Sequence, residues 1–287
     1  MSTVIWAAVA VVIIIAIVLF VYLQSIGFTV SIFETDGKGK VSSPFKFVML
    51  SDMHEATVGK DNSELLAAIR EIDPDFIILG GDMLTCSECN LKDDERVYEF
   101  LGTLSAEYKI YYGMGNHEDK IKCSEALHMH ERYESLLHNL ERLNITLLDN
   151  KSAYINEKNV RIYGLNLPIE YFRRFKTNPL PKGYINKVFG EVSHDDYTIL
   201  IAHNPEHFDE YDNYGADLVL SGHIHGGIVR LPFLGGVISP QIKLFPKYDS
   251  GEFHGFNSDM IVSRGIGWHS VPIRIWNKAE VVVVNVR

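Results

Sequence analysis

Phe45 to His54 reads FKFVMLSDMH, a short apolar run that stops at Ser51, Asp52 and His54. A run of this length, rich in Phe, Val, Met and Leu, has the composition of a buried strand. The polar residues at its end then stand at the carboxyl edge of a sheet, in the crevice where open α/β folds bind ligands. The same arrangement recurs along the chain. FIILGGD (76–82) delivers Asp82, and KIYYGMGNHED (109–119) delivers Asn116, His117 and Glu118. TILIAH (198–203) delivers His203, and DLVLSGHIH (217–225) delivers His223 and His225.

Helical patterns separate these runs, near Asn62 to Ile72 with Asn62 or Ser63 as cap, near Lys92 to Leu104, and, long and charged, near Ser124 to Leu143. Such alternation predicts an α/β sheet covered on both faces. ITLLD (145–149) adds a strand, and SAYINEKNVRIYGL (152–165) a hairpin turned at Glu157 to Asn159. The last third is mostly strand signal, ending in IRIWNKAEVVVVNVR (273–287). Two stacked sheets in one domain would hold all of it, and no repeat, low-complexity tract or Pro- or Ser-rich linker divides 45–287.

The 287 residues are 46% hydrophobic and 22% charged, a composition with material for a sizeable core. A formal charge of −10 argues against a grip on the phosphate backbone of duplex nucleic acid. An anionic substrate would have to be held by bound cations. From Val4 to Leu23 run twenty residues without a charge, with Trp6 and Tyr22 near the two ends. At ~1.5 Å per residue they span a hydrocarbon core of ~30 Å. The basic n-region and small residues of a cleaved signal peptide are missing. The expected organisation is therefore a transmembrane anchor (1–23), a tether (24–44) and a catalytic domain (45–287), single-pass in the cell membrane. Lys38 and Lys40 tilt the domain toward the cytoplasm, at the outer limit of the positive-inside rule.

Asp52, His54, Asp82, Asn116, His203, His223 and His225 form a set of nitrogen and oxygen donors without thiolate. They are too many for one ion with a position left open, but divide between two if one carboxylate bridges. This chemistry suits Mn, Zn, Fe or Ni better than Ca or Mg. Two such ions ~3.5–4 Å apart make the clamp used on phosphate esters.

In this order D-x-H, G-D, G-N-H-[DE], a later histidine and G-H-x-H resemble the motifs of the calcineurin-like metallophosphoesterases, over essentially all of 45–287. GGIVRLPFLGG (226–236), FPKYDSG (245–251) and SRGIG (263–267) are similar to the bacterial membrane-associated branch of YkuE and YaeI type. The resemblance implies a four-layer α/β/β/α sandwich of two mixed sheets, here preceded by one transmembrane helix. It implies two divalent cations, one on Asp52, His54 and His225, the other on Asn116, His203 and His223, with Asp82 between them. A metal-bridging hydroxide would attack phosphorus, while His117 acts as general acid or steadies the transition state. The family's second motif often carries another acidic residue close behind G-D. Here none comes before Glu88, which bears on how that loop is supported.

These readings predict a membrane-anchored, metal-dependent hydrolase of phosphodiesters or pyrophosphates. A lipid-linked nucleotide of the UDP-2,3-diacylglucosamine kind is one substrate class, and soluble nucleotides or cell-wall diesters are others. A reading of a different class, a catalytically silent metal-binding scaffold, would predict a broken ligand set. No P-loop, G-x-S-x-G or complete G-x-G-x-x-G is present. His207 reads as an ordinary surface or packing residue and His128, His130 and His138 as solvated. Cys86, Cys89 and Cys123 lie near motif turns, and His254, Arg264, Trp268 and His269 in segments that could frame a pocket.

Overall fold

The computed structural model describes residues 2–86, 91–173, 178–227, 229–231, 233–239, 242–268 and 273–287. Cys89 and His269 lie outside the described residues. In chain order the elements are α1 (Ser2–Ser25), β1 (Phe28–Thr35), β2 (Phe45–Leu50), α2 (Ser63–Ile72), β3 (Phe76–Leu79), α3 (Leu91–Ser105) and β4 (Ile110–Gly113). Next come α4 (Asn116–Cys123), α5 (Leu127–Arg142), β5 (Thr146–Leu148), β6 (Lys151–Ile155), β7 (Val160–Leu165), α6 (Tyr184–Phe189), β8 (Tyr197–Ala202) and α7 (Phe208–Tyr214). The chain closes with β9 (Leu218–Ser221), β10 (Arg230–Leu231), β11 (Gly235–Gly236), β12 (Gly251–His254), β13 (Asp259–Val262) and β14 (Ala279–Val286).

Successive side chains of a strand point to opposite faces, so a strand buried on both sides, such as β2, feeds two cores at once. Val48 and Leu50 pack with Leu65 and Ile69 of α2, Leu101 of α3 and Leu136 of α5. Phe47 and Met49, on the other face, join Ile199, Ile201 and Leu220 of a second sheet. The far side of that sheet sends Leu200 and Val219 against Ile185 of α6 and Phe208 and Tyr211 of α7. The result is helices, sheet, sheet, helices. The first sheet has the order β1-β14-β2-β3-β4-β5 and the second β12-β13-β9-β8-β7-β6. Strands β2 to β5 run parallel, as do β7, β8, β9 and β13, so their carboxyl ends gather along one edge of the sandwich.

Two local expectations fail. The 24–44 stretch contains β1, paired in parallel with β14 from Phe28↔Ala279 to Thr35↔Val286. Its pattern is inverted: Val30 and Ile32 are exposed, while Thr29 bonds Arg264 and Ser31 bonds Glu280 on the inner face. On that face Phe33 alone packs into the core, so the apolar-in signal is weak there. The segment 116–123, read as a turn before one long helix, is a separate helix, α4, ahead of α5. From Val4 to Phe20 α1 is exposed on all sides, and it is long and apolar enough, by length and composition, to cross a membrane.

Candidate metal centre

The strand ends that carry the predicted donors leave regular geometry at once. Asp52, His54, Asp82, His223 and His225 all have φ between 49° and 68°. Left-handed backbone disfavours such residues and persists where surrounding contacts impose it. Those contacts are visible: Asp52 N–H donates to the Gly81 carbonyl (2.9 Å), His54 N–H to that of Asp82 (3.1 Å) and Gly222 N–H to that of His203 (3.0 Å). A Cβ at Gly222 would lie 2.2 Å from Ser51 Oγ and 2.3 Å from Asp52 Oδ2. Only glycine lets the two sheets' loops come this close.

All eight predicted site residues are buried at this edge. Donor atoms of Asp52, His54 and His225 lie within 4.8 Å of one another, as do those of Asp82, His203 and His223, and those of His54, Asp82 and His117. His54 Nε2 is 3.1 Å from His225 Nε2, which is 3.3 Å from Asp52 Oδ1. His203 Nε2 stands 3.1 Å from Asp82 Oδ2. That oxygen is also 3.9 Å from His54 Nε2 and 4.0 Å from His117 Nε2. Asp82 Oδ2 is thus where the groups join.

The arrangement fits divalent cations. Asn116, the first residue of α4, buries its Oδ1 with no hydrogen-bond partner among the described residues. An unsatisfied buried acceptor costs ~1–3 kcal/mol, and an ion would satisfy it. The Nδ1 of His203 is 2.7 Å from the Gly80 carbonyl; as donor there, it leaves the Nε2 lone pair for an ion. Asp52 accepts from Ser51 Oγ–H (2.6 Å) and His223 N–H (2.9 Å). Asp82 Oδ1 accepts from His117 N–H (2.8 Å), which fixes the carboxylate plane.

Without ions the charges lean on one another. Burial would depress His203, but the carboxylates of Asp82 and Asp52 outweigh it and hold the imidazole's pKa up at about 10. Burial would raise Asp82, but His203, His117 and His54 keep it well below the usual carboxylate range. Asp52 is pushed up to about 6 by burial, with His203 opposing and Asp82 assisting.

Two supports went unassigned in the sequence. Glu118 is fully buried, and its carboxylate accepts from the N–H groups of Asp82 (2.9 Å), Met83 (2.8 Å), Leu84 (3.1 Å) and Gly115 (3.0 Å) and from Tyr112 O–H (2.8 Å). Burial and the nearby Asp82 push its pKa up to about 7. It stood in the G-N-H-E motif, so the signal was there. The second support is Arg132 of α5, buried, with paired bonds to Asp94 (both 2.6 Å), one to Glu55 (2.9 Å) and one to the Thr85 carbonyl (2.6 Å). Glu55 in turn accepts from Thr85 N–H and O–H. Nothing in a charged helix pattern marks one arginine as buried. The loop after Asp82 thus takes carboxylates from Glu118 and Glu55.

Cys86 N–H donates to His117 Nδ1 (2.8 Å), so the neutral ring carries its proton on Nε2. Cys123 is a free thiol. His207 is buried against Tyr171, while His128, His130 and His138 are exposed on α5. His254 does not frame the site: it pairs with Asp259 (2.8 Å), at the end of β13 that aligns with Leu218, away from the carboxyl edge. Arg264 is engaged by Glu280 (2.8 Å). Trp268 follows Gly267, whose N–H bonds the Asp52 carbonyl (2.9 Å), so it lies beside the centre.

The family model described as calcineurin-like phosphoesterase matches residues 45–227. A metallophosphoesterase of Helicobacter pylori is 28% identical over 84% of this chain, and the chain spans 60% of that relative's length. The metallophosphoesterase YkuE of Bacillus subtilis is 25% identical over 85% of this chain and 79% of its own. The solved structure of a 5′-nucleotidase precursor from Thermus thermophilus is similar at 13% identity and TM-score 0.40, over 85% of this chain and 55% of that one.

Proposed function

The chain belongs to the calcineurin-like phosphoesterase family, and from that premise we propose that it is a membrane-anchored hydrolase of phosphodiesters or pyrophosphates using two divalent cations. The observation that carries this reading is the convergence of donors from both sheets on Asp82 Oδ2. One cation, chosen from Mn, Zn, Fe or Ni, would sit on Asp52, His54 and His225, the other on Asn116, His203 and His223, with Asp82 shared. When bound, such ions supply a water acidic enough to ionise near neutral pH and positive charge for the phosphoryl oxygens.

The chain's own groups divide the remaining work. Asp52 and Asp82 are oriented before any ligand arrives, by Ser51 and His223 in one case and by His117 N–H in the other. His117 offers the proton on Nε2 to an oxygen of the reacting phosphate. The Cys86 amide at Nδ1 opposes a second proton on the ring, which favours transition-state hydrogen bonding over donation from an imidazolium. Val4–Leu23 would hold this centre at the membrane.

The test is hydrolysis of bis(p-nitrophenyl) phosphate by the full-length protein in detergent, stripped with chelator and reloaded with each metal in turn. Activity lost on stripping and regained on reloading is expected. No hydrolysis with any of the metals at full occupancy overturns the reading and favours the silent scaffold.

A further inference from the structure

Residues 228–247 contain Arg230, Lys243 and Lys247, the first two paired with Asp249 and Glu206 from outside the stretch. In the same stretch Phe233, Leu234, Ile242, Leu244 and Phe245 are exposed, Phe233 completely so at 108%. Single exposed apolar residues are ordinary, but a cluster of this kind marks an interaction surface. The cluster is held together by backbone bonds. Val237 N–H donates to the Val229 carbonyl (2.8 Å), Phe245 N–H to that of Val237 (2.9 Å), and Ile238 bridges Leu244.

What this surface is attached to indicates its occupant. Arg230 N–H donates to the Ile275 carbonyl (3.1 Å), and Val229 bridges Ile275. On one side of Ile275, Arg274 N–H donates to Ser25 Oγ (3.0 Å), at the last residue of α1. On the other, the half-exposed Trp276 meets Phe20 of α1 edge to face, at 5.9 Å between ring centroids. The next residue, Asn277, donates to the His225 carbonyl (2.7 Å). A continuous set of contacts thus runs from the last turns of α1 to the exposed loops and to the candidate metal centre. A tryptophan held against the end of an apolar span sits at the depth where aromatic belts form. Arg230 is paired with Asp249 (3.0 Å) and Lys243 with Glu206, so the apolar side chains are what this surface offers a bilayer.

We propose that Phe233–Leu234 and the Ile242, Leu244 and Phe245 loop form a second membrane contact beside α1, dipping into the boundary between headgroups and acyl chains. The metal centre then faces the bilayer surface and takes an amphiphilic phosphodiester or diphosphate whose apolar part stays in the lipid. This rests on the reading that Val4–Leu23 spans the membrane.

Full-length protein in anionic vesicles, irradiated with a phospholipid that carries a diazirine on its acyl chain and then mapped by peptide mass spectrometry, separates the two readings. Label in α1 and in 230–245 is expected. Label in α1 alone overturns the second contact, as do copy-to-copy crosslinks through these loops in place of lipid label. No label in α1 overturns the anchor itself. The substrate half is tested by the combined variant Phe233→Asp, Leu234→Asp and Phe245→Asp. Its rate on cytidine diphosphate-diacylglycerol in vesicles should fall ~10-fold or more, with bis(p-nitrophenyl) phosphate hydrolysis unchanged. Unchanged rates on both substrates, or an equal fall on both, overturn it.

Discussion

The two sheets meet along one edge and contribute different donors there. The loops of β2, β3 and β4 bring both carboxylates, the amide of Asn116, the imidazoles of His54 and His117, and the buried Glu118 behind them. Those of β8 and β9 bring His203, His223 and His225. Neither half makes a centre. Asp52 and Asp82 without the second sheet would be two carboxylates repelling each other in a buried site, and burial, with Asp82 assisting, pushes Asp52 up to about 6 even with His203 opposing. His203 without the first sheet would keep only the lowering effect of its burial. The pairing lets both persist, and it makes the site depend on how the two sheets are stacked. The first sheet is also the better braced, since five donors converge on Glu118 alone.

If the halves join at Asp82 Oδ2, removing that carboxylate should separate them most completely. Asp82→Ala is expected to lose both metals, by elemental analysis, and to lower kcat by more than ~10³-fold. Retention of two metals would break the comparison at its centre. His117→Ala touches only the first sheet's contribution to the reacting phosphate. It should keep its metals and lose ~10²–10³-fold in kcat, the scale of one transition-state hydrogen bond. If instead the wild-type rate falls as pH rises and the variant loses that fall, the imidazolium role is restored.

How much of this was legible in sequence differs between the sheets' edges and their supports. Strands that end in a donor are visible because two signals coincide, an apolar run and a polar stop, as at Leu50 to His54 and Leu220 to His225. The four layers emerge from β2 alone once Phe47 and Val48 are both seen to be buried. β1 was hidden because its inner face is Thr29 and Ser31, bonded to Arg264 and Glu280 across 235 and 249 residues of chain. Helix α4 was hidden because its first four residues, Asn116 to Asp119, are all buried, which erases the amphipathic stripe. Arg132 could not be found, since only tertiary contact distinguishes it from the solvated charges around it.

Glu118→Gln sharpens the comparison from behind the site. The amide keeps the size but places a donor among N–H groups, so the loop carrying Asp82 loses its acceptor. Metal affinity should fall ~10–100-fold, the usual effect of a residue that orients a ligand. The unsatisfied groups should cost ~1–3 kcal/mol of stability. Unchanged affinity in a metal titration would mean the second sheet's histidines suffice to position Asp82.

The smallest effect is the most direct reading of how the halves interact before metal arrives. His203, held up at about 10 by Asp82 and Asp52, is protonated in the metal-free protein at pH 8. An ion can use its Nε2 only after that proton leaves, so binding should release protons, and more at pH 8 than above pH 10. Calorimetry in two buffers of different ionisation enthalpy counts them. The raised pKa sets the sign for stability. The His203 contribution is fully present below its unfolded value near 6.5 and is lost as pH rises through about 10. The metal-free protein should therefore lose Tm across that window while the metal-loaded protein does not. If no proton is released at pH 8, His203 is already neutral, and the sheets are joined by hydrogen bonds instead of by charge.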